Sequence, residues 1–373
     1  MKVMQINLGE SFGGVSSMLF NLYSEMDHRK ITFDFVAPKK SSFTTKKNRI
    51  EAMGGRIIEL KTSGNLLQRK WEFFHRLGEL IKNQQYQVVH INSGSTLFNI
   101  QVAWIAKLCG VPKIIVHSHN AGNDSHVKKL MMSFARPLLE WGPTDYFACS
   151  NKAAKYMFTK QRYEKKQYEL IKNAVNIKQF EFSKAIRDEY REKLDLVDKD
   201  VILHVGRFTQ QKNHKFILKV FSEVCQTNNN ARLVLVGAGE LQDNIKQLAN
   251  NLGISSKVLF LNLREDVSQL MSMSDLLLLP SLYEGLPVVG VEAQAAGMGC
   301  VFSDVITSEV DLTQRNDFIS LNSDKTEWAK RINEMLANKN DAVARRVQVK
   351  MVMEAGYSLT QVAQDLEKIY ENK

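Results

Sequence analysis

Apolar residues along this chain fall into two alternating textures. Short runs rich in Val, Ile and Leu recur as VMQIN near residue 5, VVHIN near 90, KIIVHSH near 115, DYFACS near 148, VILHVG near 203, RLVLVG near 234, KVLFL near 259, DLLLLP near 278 and GCVFSD near 301. Between them lie longer stretches with helical spacing. Runs that are apolar at consecutive positions predict strands buried on both faces, the mark of parallel sheets covered by crossover helices. Four runs precede the polar stretch 181–199 and five come after it, so the pattern predicts two doubly wound α/β domains, 1–180 and 181–355. Leu359, Val362, Leu366 and Ile369 then recur at helical spacing and predict a C-terminal helix over 356–373 that packs back on the first domain. Two such sheets facing each other make a cleft. In open α/β sheets ligands sit beyond the carboxyl ends of the strands, so function is sought in the loop that leaves each strand.

Composition narrows the picture. A chain of 373 residues holds about two domains. Hydrophobic residues at 44% and charged residues at 24% exclude a disordered chain, a collagen and a coiled coil. No apolar run reaches the roughly 18–20 residues of a membrane-spanning helix, and the opening MKVMQINLGESFGGVSS lacks a secretory apolar stretch. Cys109, Cys149, Cys225 and Cys300 lie far apart with no CxxC, so neither a disulfide framework nor a metal site is expected. The expectation is a soluble intracellular protein.

Charge separates the two halves. The net charge is +10, and residues 1–180 carry 27 basic and 13 acidic side chains, a net of +14, leaving −4 for the remainder. The excess points to an anionic partner of the first half: nucleic acid, an anionic membrane face or a phosphorylated substrate, unless it serves solubility alone. Two basic segments also carry large apolar side chains. One, 66–77, has Trp71, Phe73 and Phe74 among Arg69, Lys70 and Arg76; the other, 127–141, has Lys128, Lys129 and Arg136 beside Leu130, Met131, Met132 and Phe134. Such amphipathic helices either lie in the headgroup layer of an anionic bilayer or face the core. Most of the first is expected in the core, and the second is balanced between the two. No helix-turn-helix, RNP aromatic motif or zinc finger accompanies the charge, so nucleic acid is not expected as a partner.

Three strand ends carry candidate chemistry. After the first strand come Gly9, Gly13, Gly14 and Ser16 and then a helical pattern, which lets backbone approach a phosphate at a helix N-terminus. After VILHVG come Arg207 and, five residues on, Lys212, a planar fork and a point charge able to clamp a diphosphate. After DLLLLP the chain reads PSLYEGLPVVGVEAQAAG. This places Glu284 in a strand-to-helix loop and Glu292 on the second turn of the next helix, where both can accept from a polyhydroxy ligand.

PSLYEGLPVVGVEAQAAG resembles the E-x7-E signature of the retaining glycosyltransferases of family 4, which have the two-Rossmann GT-B fold. The resemblance extends over nearly the whole chain through the Gly13-Gly14 loop, the His119 strand end, IKNAVN at 171–176, Gly206-Arg207 with Lys212, and LVGAGE at 235–240. It is nearest to enzymes of bacterial capsular and exopolysaccharide assembly. It implies that Arg207 and Lys212 hold the donor's diphosphate, that Glu292 accepts from the ribose hydroxyls, and that Glu284 contacts the donor sugar with help from the N–H groups of Gly285 and Leu286. Gly14, beside Gly13, would let its loop approach the β-phosphate, His119 would sit near the reacting centre, Leu263 and Arg264 would border the base, and Gly237 would belong to the donor site as well. The implied activity is retaining transfer of a hexose or N-acetylhexosamine from a nucleotide sugar, UDP-linked by family base rates. The implied acceptor is lipid-linked or a saccharide, and the site is the inner face of the cell membrane, with no cofactor and no metal.

Several positions depart from the family's pattern. Asn213 and Asn262 stand where Gly is usual, Ala174 interrupts NGV, Asn120 replaces Asp after His119, and the segment after Cys300 lacks a Gly-rich loop. Of His117 and His119, one is expected buried and the other ligand-facing; His90 and His204 are read as structural. The rival readings are a two-Rossmann nucleotide-sugar epimerase and a catalytically silent partner in polysaccharide assembly.

Overall fold

The computed structural model describes residues 1–7, 9, 13–119, 126–339 and 342–372, with 126–131 described by backbone alone. The chain divides into two units, residues 1–174 with 359–373, and residues 175–358. The first holds strands β1 (Lys2–Ile6), β2 (Thr32–Ala37), β3 (Arg56–Glu59), β4 (Val88–Ile91), β5 (Lys113–Ser118), β6 (Asp145–Ala148) and β7 (Glu169–Leu170) in the order β3-β2-β1-β4-β5-β6-β7. The second holds β8 (Asp200–Val205), β9 (Ala231–Val236), β10 (Val258–Phe260), β11 (Leu276–Leu279), β12 (Gly299–Ser303) and β13 (Asn316–Ile319) in the order β10-β9-β8-β11-β12-β13. Every strand pairing in both sheets is parallel. Both sheets reverse their strand order once, between β1 and β4 and between β8 and β11.

The apolar runs are continuous because each strand feeds two cores. In β1, Met4 and Ile6 enter one core with Leu77, Ile81 and Ala103, while Val3 enters the opposite one with Leu19, Tyr23 and Phe33. In β11, Leu277 and Leu279 face one side and Leu276 and Leu278 the other. At about 25 cal/mol per Å² of apolar surface removed from water, this two-sided burial is the main stabilising term of each unit.

The helix Leu359–Glu371 belongs to the first unit: Leu359, Ala363, Leu366 and Tyr370 complete the core that holds Val3 and Phe33. Asp27 N donates to Glu367 Oε1 at 2.6 Å at its side, and Lys113 Nζ reaches the Ile369 and Asn372 carbonyls near its end. The division at Ala174 falls short of residue 180 for a packing reason. Val175, Ile177 and Phe180 are buried in the second unit's core, so the chain has already changed units before the polar stretch. That stretch carries the helix Lys184–Lys193, whose Arg187 and Arg191 bind Asp275 at 2.5 and 2.7 Å.

Candidate functional site

The loops that leave β8, β9, β10 and β11 are tied to one another by backbone. Gly206 N donates to Val236 O at 2.9 Å, Gly237 N to Asn262 O at 2.8 Å and Phe208 N to Ala238 O at 3.1 Å. Gly237 has φ +142°, and a Cβ there would stand 2.1 Å from the Gly206 carbonyl oxygen. Two strand ends thus meet backbone to backbone, an approach that only glycine permits. Asn213 and Asn262 have φ of 57° and 52°, in the left-handed region. Where the family commonly has glycine, this chain uses the side chain that tolerates that region best.

Lys212 lies in the 3₁₀ turn Gln210–Lys212, just before the helix His214–Thr227. Its Nζ is 2.5 Å from Glu284 Oε1, in a pair with 17% and 10% of the side chains exposed. Lys212 follows β8 and Glu284 follows β11, so this ion pair bridges the point where the sheet's strand order reverses, the expected ligand position of a doubly wound sheet. Gln211 reinforces the bridge: its side-chain amide donates to Tyr283 O at 3.0 Å and to Glu284 Oε2 at 3.4 Å, while its backbone carbonyl accepts from Leu282 N at 2.8 Å. Below Lys212 the floor is neutral. His204 donates from Nδ1 to Leu278 O at 2.8 Å, and His214 stacks on Phe208 at 4.0 Å. Burial first, and then the nearby Lys212 charge, hold His214 down at about 4; His204 lies well below its ordinary value for the same reasons together with the neighbouring His214.

Arg207 stands apart from this pair, 69% exposed and 4.0 Å from Glu240. Glu292 projects from the helix Val288–Ala295, half-buried, and burial raises its carboxyl to about 7. Gly285 is half-buried, and Leu286 is buried within the second unit's core. Leu263 is 79% exposed. Arg264 is gripped by Asp266 through bonds of 2.7 and 2.5 Å, and Tyr190 donates to the same carboxylate at 2.8 Å. Those donors, the Arg264 bonds foremost, hold Asp266 down at about 2, so the guanidinium plane is fixed beside the exposed Leu263.

In the first unit Gly13 caps the helix Gly14–Glu25 with extended φ and ψ of −137° and −167°, and a Cβ on Gly14 would meet nothing within 4 Å. Among the described residues, the space beside Gly14 is open. Glu10, Ser11 and Phe12 of the same loop lie outside the described residues, as does Asn120. His119 follows β5, half-buried, with Nε2 2.9 Å from Asn92 Oδ1. His117 is buried and His119 half-buried, but the two do not alternate between faces: their rings lie together, centroids 3.9 Å apart, because residues two apart on an extended chain share a face. Burial keeps His90 and His119 at about 3 and His117 well below its ordinary value, so all three rings are neutral at pH 7. Asn92, one residue beyond β4, escaped the sequence reading although the same strand-end rule that selected His119 points to it.

The two basic segments divide between core and surface. Phe73 and Leu77 are buried, whereas Leu66, Leu67 and Trp71 are 70%, 78% and 69% exposed. Thus the start of the first segment faces outward, contrary to the core expected for most of it. In the second, Met132, Ala135 and Leu139 are buried and Phe134, Leu138 and Trp141 exposed; Leu130 and Met131 lie outside the described side chains. The helix Thr96–Leu108 lies between the two and adds Leu97, Trp104 and Leu108 to the exposed apolar surface. Among the described residues, no helix is long and apolar enough to cross a membrane, and no group of three or more His, Cys, Asp or Glu could hold a metal ion.

The fold has solved counterparts. HepE of Anabaena, crystallised with UDP, superposes over the whole of both chains with a TM-score of 0.82 at 16% identity, and its complex with UDP-glucose does so at 0.80 and 17%. Two parallel, doubly wound units of this kind define a GT-B protein. EpsF of Bacillus subtilis (strain 168), a protein named as a glycosyltransferase, is 32% identical over 315 residues, 83% of this chain and 81% of its own. An Escherichia coli UDP-Gal:α-D-GlcNAc-diphosphoundecaprenol α-1,3-galactosyltransferase is 27% identical over 238 residues, 61% of this chain and 60% of that one. The family descriptions "Glycosyltransferase Family 4" and "Glycosyl transferases group 1" match residues 12–179 and 186–350. The chain belongs to the family 4 glycosyltransferases.

Proposed function

We propose that this chain is a retaining hexosyltransferase that takes a hexose or N-acetylhexosamine from a UDP-sugar to a lipid-linked or saccharide acceptor in cell-surface polysaccharide synthesis. The observation that carries the reading is the Lys212–Glu284 pair across the strand reversal between β8 and β11. It sets one cation and one hydroxyl acceptor side by side, which supports a site for the junction of a donor's phosphate and sugar. The UDP and UDP-glucose complexes of HepE and the diphosphoundecaprenol acceptor in the name of the E. coli relative support UDP as carrier and a lipid-linked acceptor.

Glycosyl transfer builds positive charge on the sugar and negative charge on the departing diphosphate, so preorganised positive charge at the phosphate is the main lever. Lys212 supplies it from a neutral, buried floor. Arg207 adds an exposed guanidinium, and the N-terminus of the helix His214–Thr227 adds a partial positive charge. Glu284 holds Lys212 with Oε1 and keeps capacity for a sugar hydroxyl. Glu292 accepts from the ribose, and the Arg264 plane with Leu263 borders the base. These groups perform the charge neutralisation that a divalent metal performs elsewhere, and activity is expected to survive chelator.

Lys212→Ala is expected to slow transfer by about 10²–10³-fold, the loss of one preorganised donor, and Glu292→Ala to abolish measurable nucleotide binding. A panel of nucleotide sugars in thermal melts identifies the donor, since a ligand of the native state raises its melting point. Wild-type turnover in Lys212→Ala would refute the site. We further propose peripheral attachment at the inner membrane face through the exposed Leu66, Leu67, Trp71, Phe134 and Trp141 of the basic first unit. Sedimentation with anionic vesicles but not neutral ones at low salt is the expected result; equal sedimentation with both would exclude it.

A further inference from the structure

Six polar side chains of the first unit form a linked circuit around β1, β4 and β5. The Asn92 amide nitrogen lies 3.3 Å from the His90 backbone carbonyl and 2.8 Å from Gln5 Oε1. A backbone carbonyl only accepts, so that end of the amide is NH2, and the oxygen end is the one 2.9 Å from His119 Nε2. His119 therefore carries its proton on Nε2, and Nδ1, which has no partner among the described residues, is unprotonated. In the other direction, Gln5 accepts on its oxygen, so its nitrogen donates to Tyr370 Oη at 3.0 Å. Tyr370 has one proton to give, and His90 Nδ1 is 2.7 Å away. His90 then donates from Nε2 to His117 Nδ1 at 3.2 Å, and the His117 ring lies against that of His119. The His90 carbonyl thus assigns the Asn92 amide, but that contact is long, and the shorter bond that holds the amide, to Gln5 Oε1, depends on Tyr370 engaging the Gln5 nitrogen. Gln5, His90, Asn92, His117 and Tyr370 are all at most 3% exposed, so no water competes for these bonds.

Tyr370 is where the two branches meet. One runs through Gln5 and Asn92 to the edge of the His119 ring; the other runs through His90 and His117 to its face. We infer that Tyr370, in the last turn of the C-terminal helix, is the positioning residue that fixes the ring plane and the Nε2–H tautomer of His119. The C-terminal helix is thereby part of the site's support as well as of the core. The inference rests on the reading of His119 as a site residue, yet its tautomer is measurable without any ligand.

The test is Tyr370→Phe in the full chain, which deletes one hydroxyl and keeps the ring. Imidazole nitrogens labelled with ¹⁵N, with the His119 signals assigned by their loss in His119→Ala, report the tautomer directly. The wild type is expected to show Nε2–H alone, and Tyr370→Phe a mixture of both tautomers with a cooperative thermal melt retained. Release of UDP from UDP-glucose or UDP-N-acetylglucosamine, whichever the wild type turns over, is expected to fall about 10-fold in kcat with donor KM little changed, the lower end of what losing an orienting partner costs at metal-bound histidines. An unchanged single tautomer in the folded variant overturns the inference. Should Tyr370→Phe not fold, Gln5→Leu interrupts the same edge branch, and its spectrum decides by the same criterion. If His119→Ala leaves UDP release untouched, the reading of His119 as a site residue fails, while the spectrum still shows whether Tyr370 positions it.

Discussion

Glu292 makes a pH prediction that separates it from the other acidic side chains of the site. Burial raises its carboxyl to about 7, so near neutral pH the free protein carries it partly protonated. A carboxylate accepts from two ribose hydroxyls better than the acid does, so binding draws the proton off. Below pH 7 that deprotonation opposes binding, and the affinity is expected to fall by up to about tenfold per pH unit. UDP-glucose is the right probe, because its phosphate diesters do not titrate in this range. Calorimetry at pH 6 and pH 8 should show weaker binding at pH 6 in the wild type and little difference in Glu292→Gln. Equal affinities at both pH values in the wild type would remove Glu292 from the ribose contact. At this scale the sequence was legible where a residue's placement follows from a strand end, as with Lys212 and Glu284, which the structure brings together. It was not legible where the role depends on what packs beneath. Arg207 and Lys212, five residues apart, read as a clamp, but Lys212 turns inward to Glu284 while Arg207 lies in solvent beside Glu240. Spacing carries no record of burial.

Elements were legible in proportion to how fully they are buried. The nine apolar runs all correspond to strands, and all but the half-buried edge β10 are largely buried. The four strands that escaped notice have other textures. β2 alternates in TFDFVA because Asp34 is buried with Arg56 and Tyr86 as partners; β3 and β13 are half-buried edges, and β7 has two exposed residues. The junctions between elements carry the site, and Gly237 is the most constrained of them. Any side chain at φ +142° is strained, and a Cβ would collide with the Gly206 carbonyl. Gly237→Ala must therefore push the β9 loop away from the β8 loop and break the Gly237–Asn262 bond that sets the neighbouring Leu263–Arg264 segment. The expected outcome is a melting point lower by several degrees, from about 1–3 kcal/mol of strain, and a larger fractional loss of UDP-glucose affinity. Wild-type affinity and melting point in that variant would show that the loops do not depend on this contact.

Across the whole molecule five histidines, His90, His117, His119, His204 and His214, are at once buried or half-buried and held well below the ordinary histidine range, by burial above all. In the unfolded chain they take up protons near pH 6.5; in the folded chain His214 does so at about 4, His90 and His119 at about 3. A group whose folded value is depressed contributes stability that is present above its unfolded value and lost as pH falls toward the folded one. Each histidine therefore removes up to about 1.4 kcal/mol per pH unit below 6.5. Glu292 acts in the opposite sense. Its value is raised from 4.5 to about 7, so it costs stability as pH rises through that window and regains it as pH falls. One group against five decides the direction: the melting point should drop steeply between pH 6.5 and pH 4.5. The drop should occur in both units, since three of the rings lie in the first and two in the second. His214 stacks on Phe208 and has no hydrogen-bond partner among the described residues. Replacing it by Phe removes one titrating group without opening a cavity, and should flatten the fall by about one proton's worth. A melting point unchanged from pH 7 to pH 5 in the wild type would mean that these rings are protonated in place, and that the neutral floor beneath Lys212 does not exist.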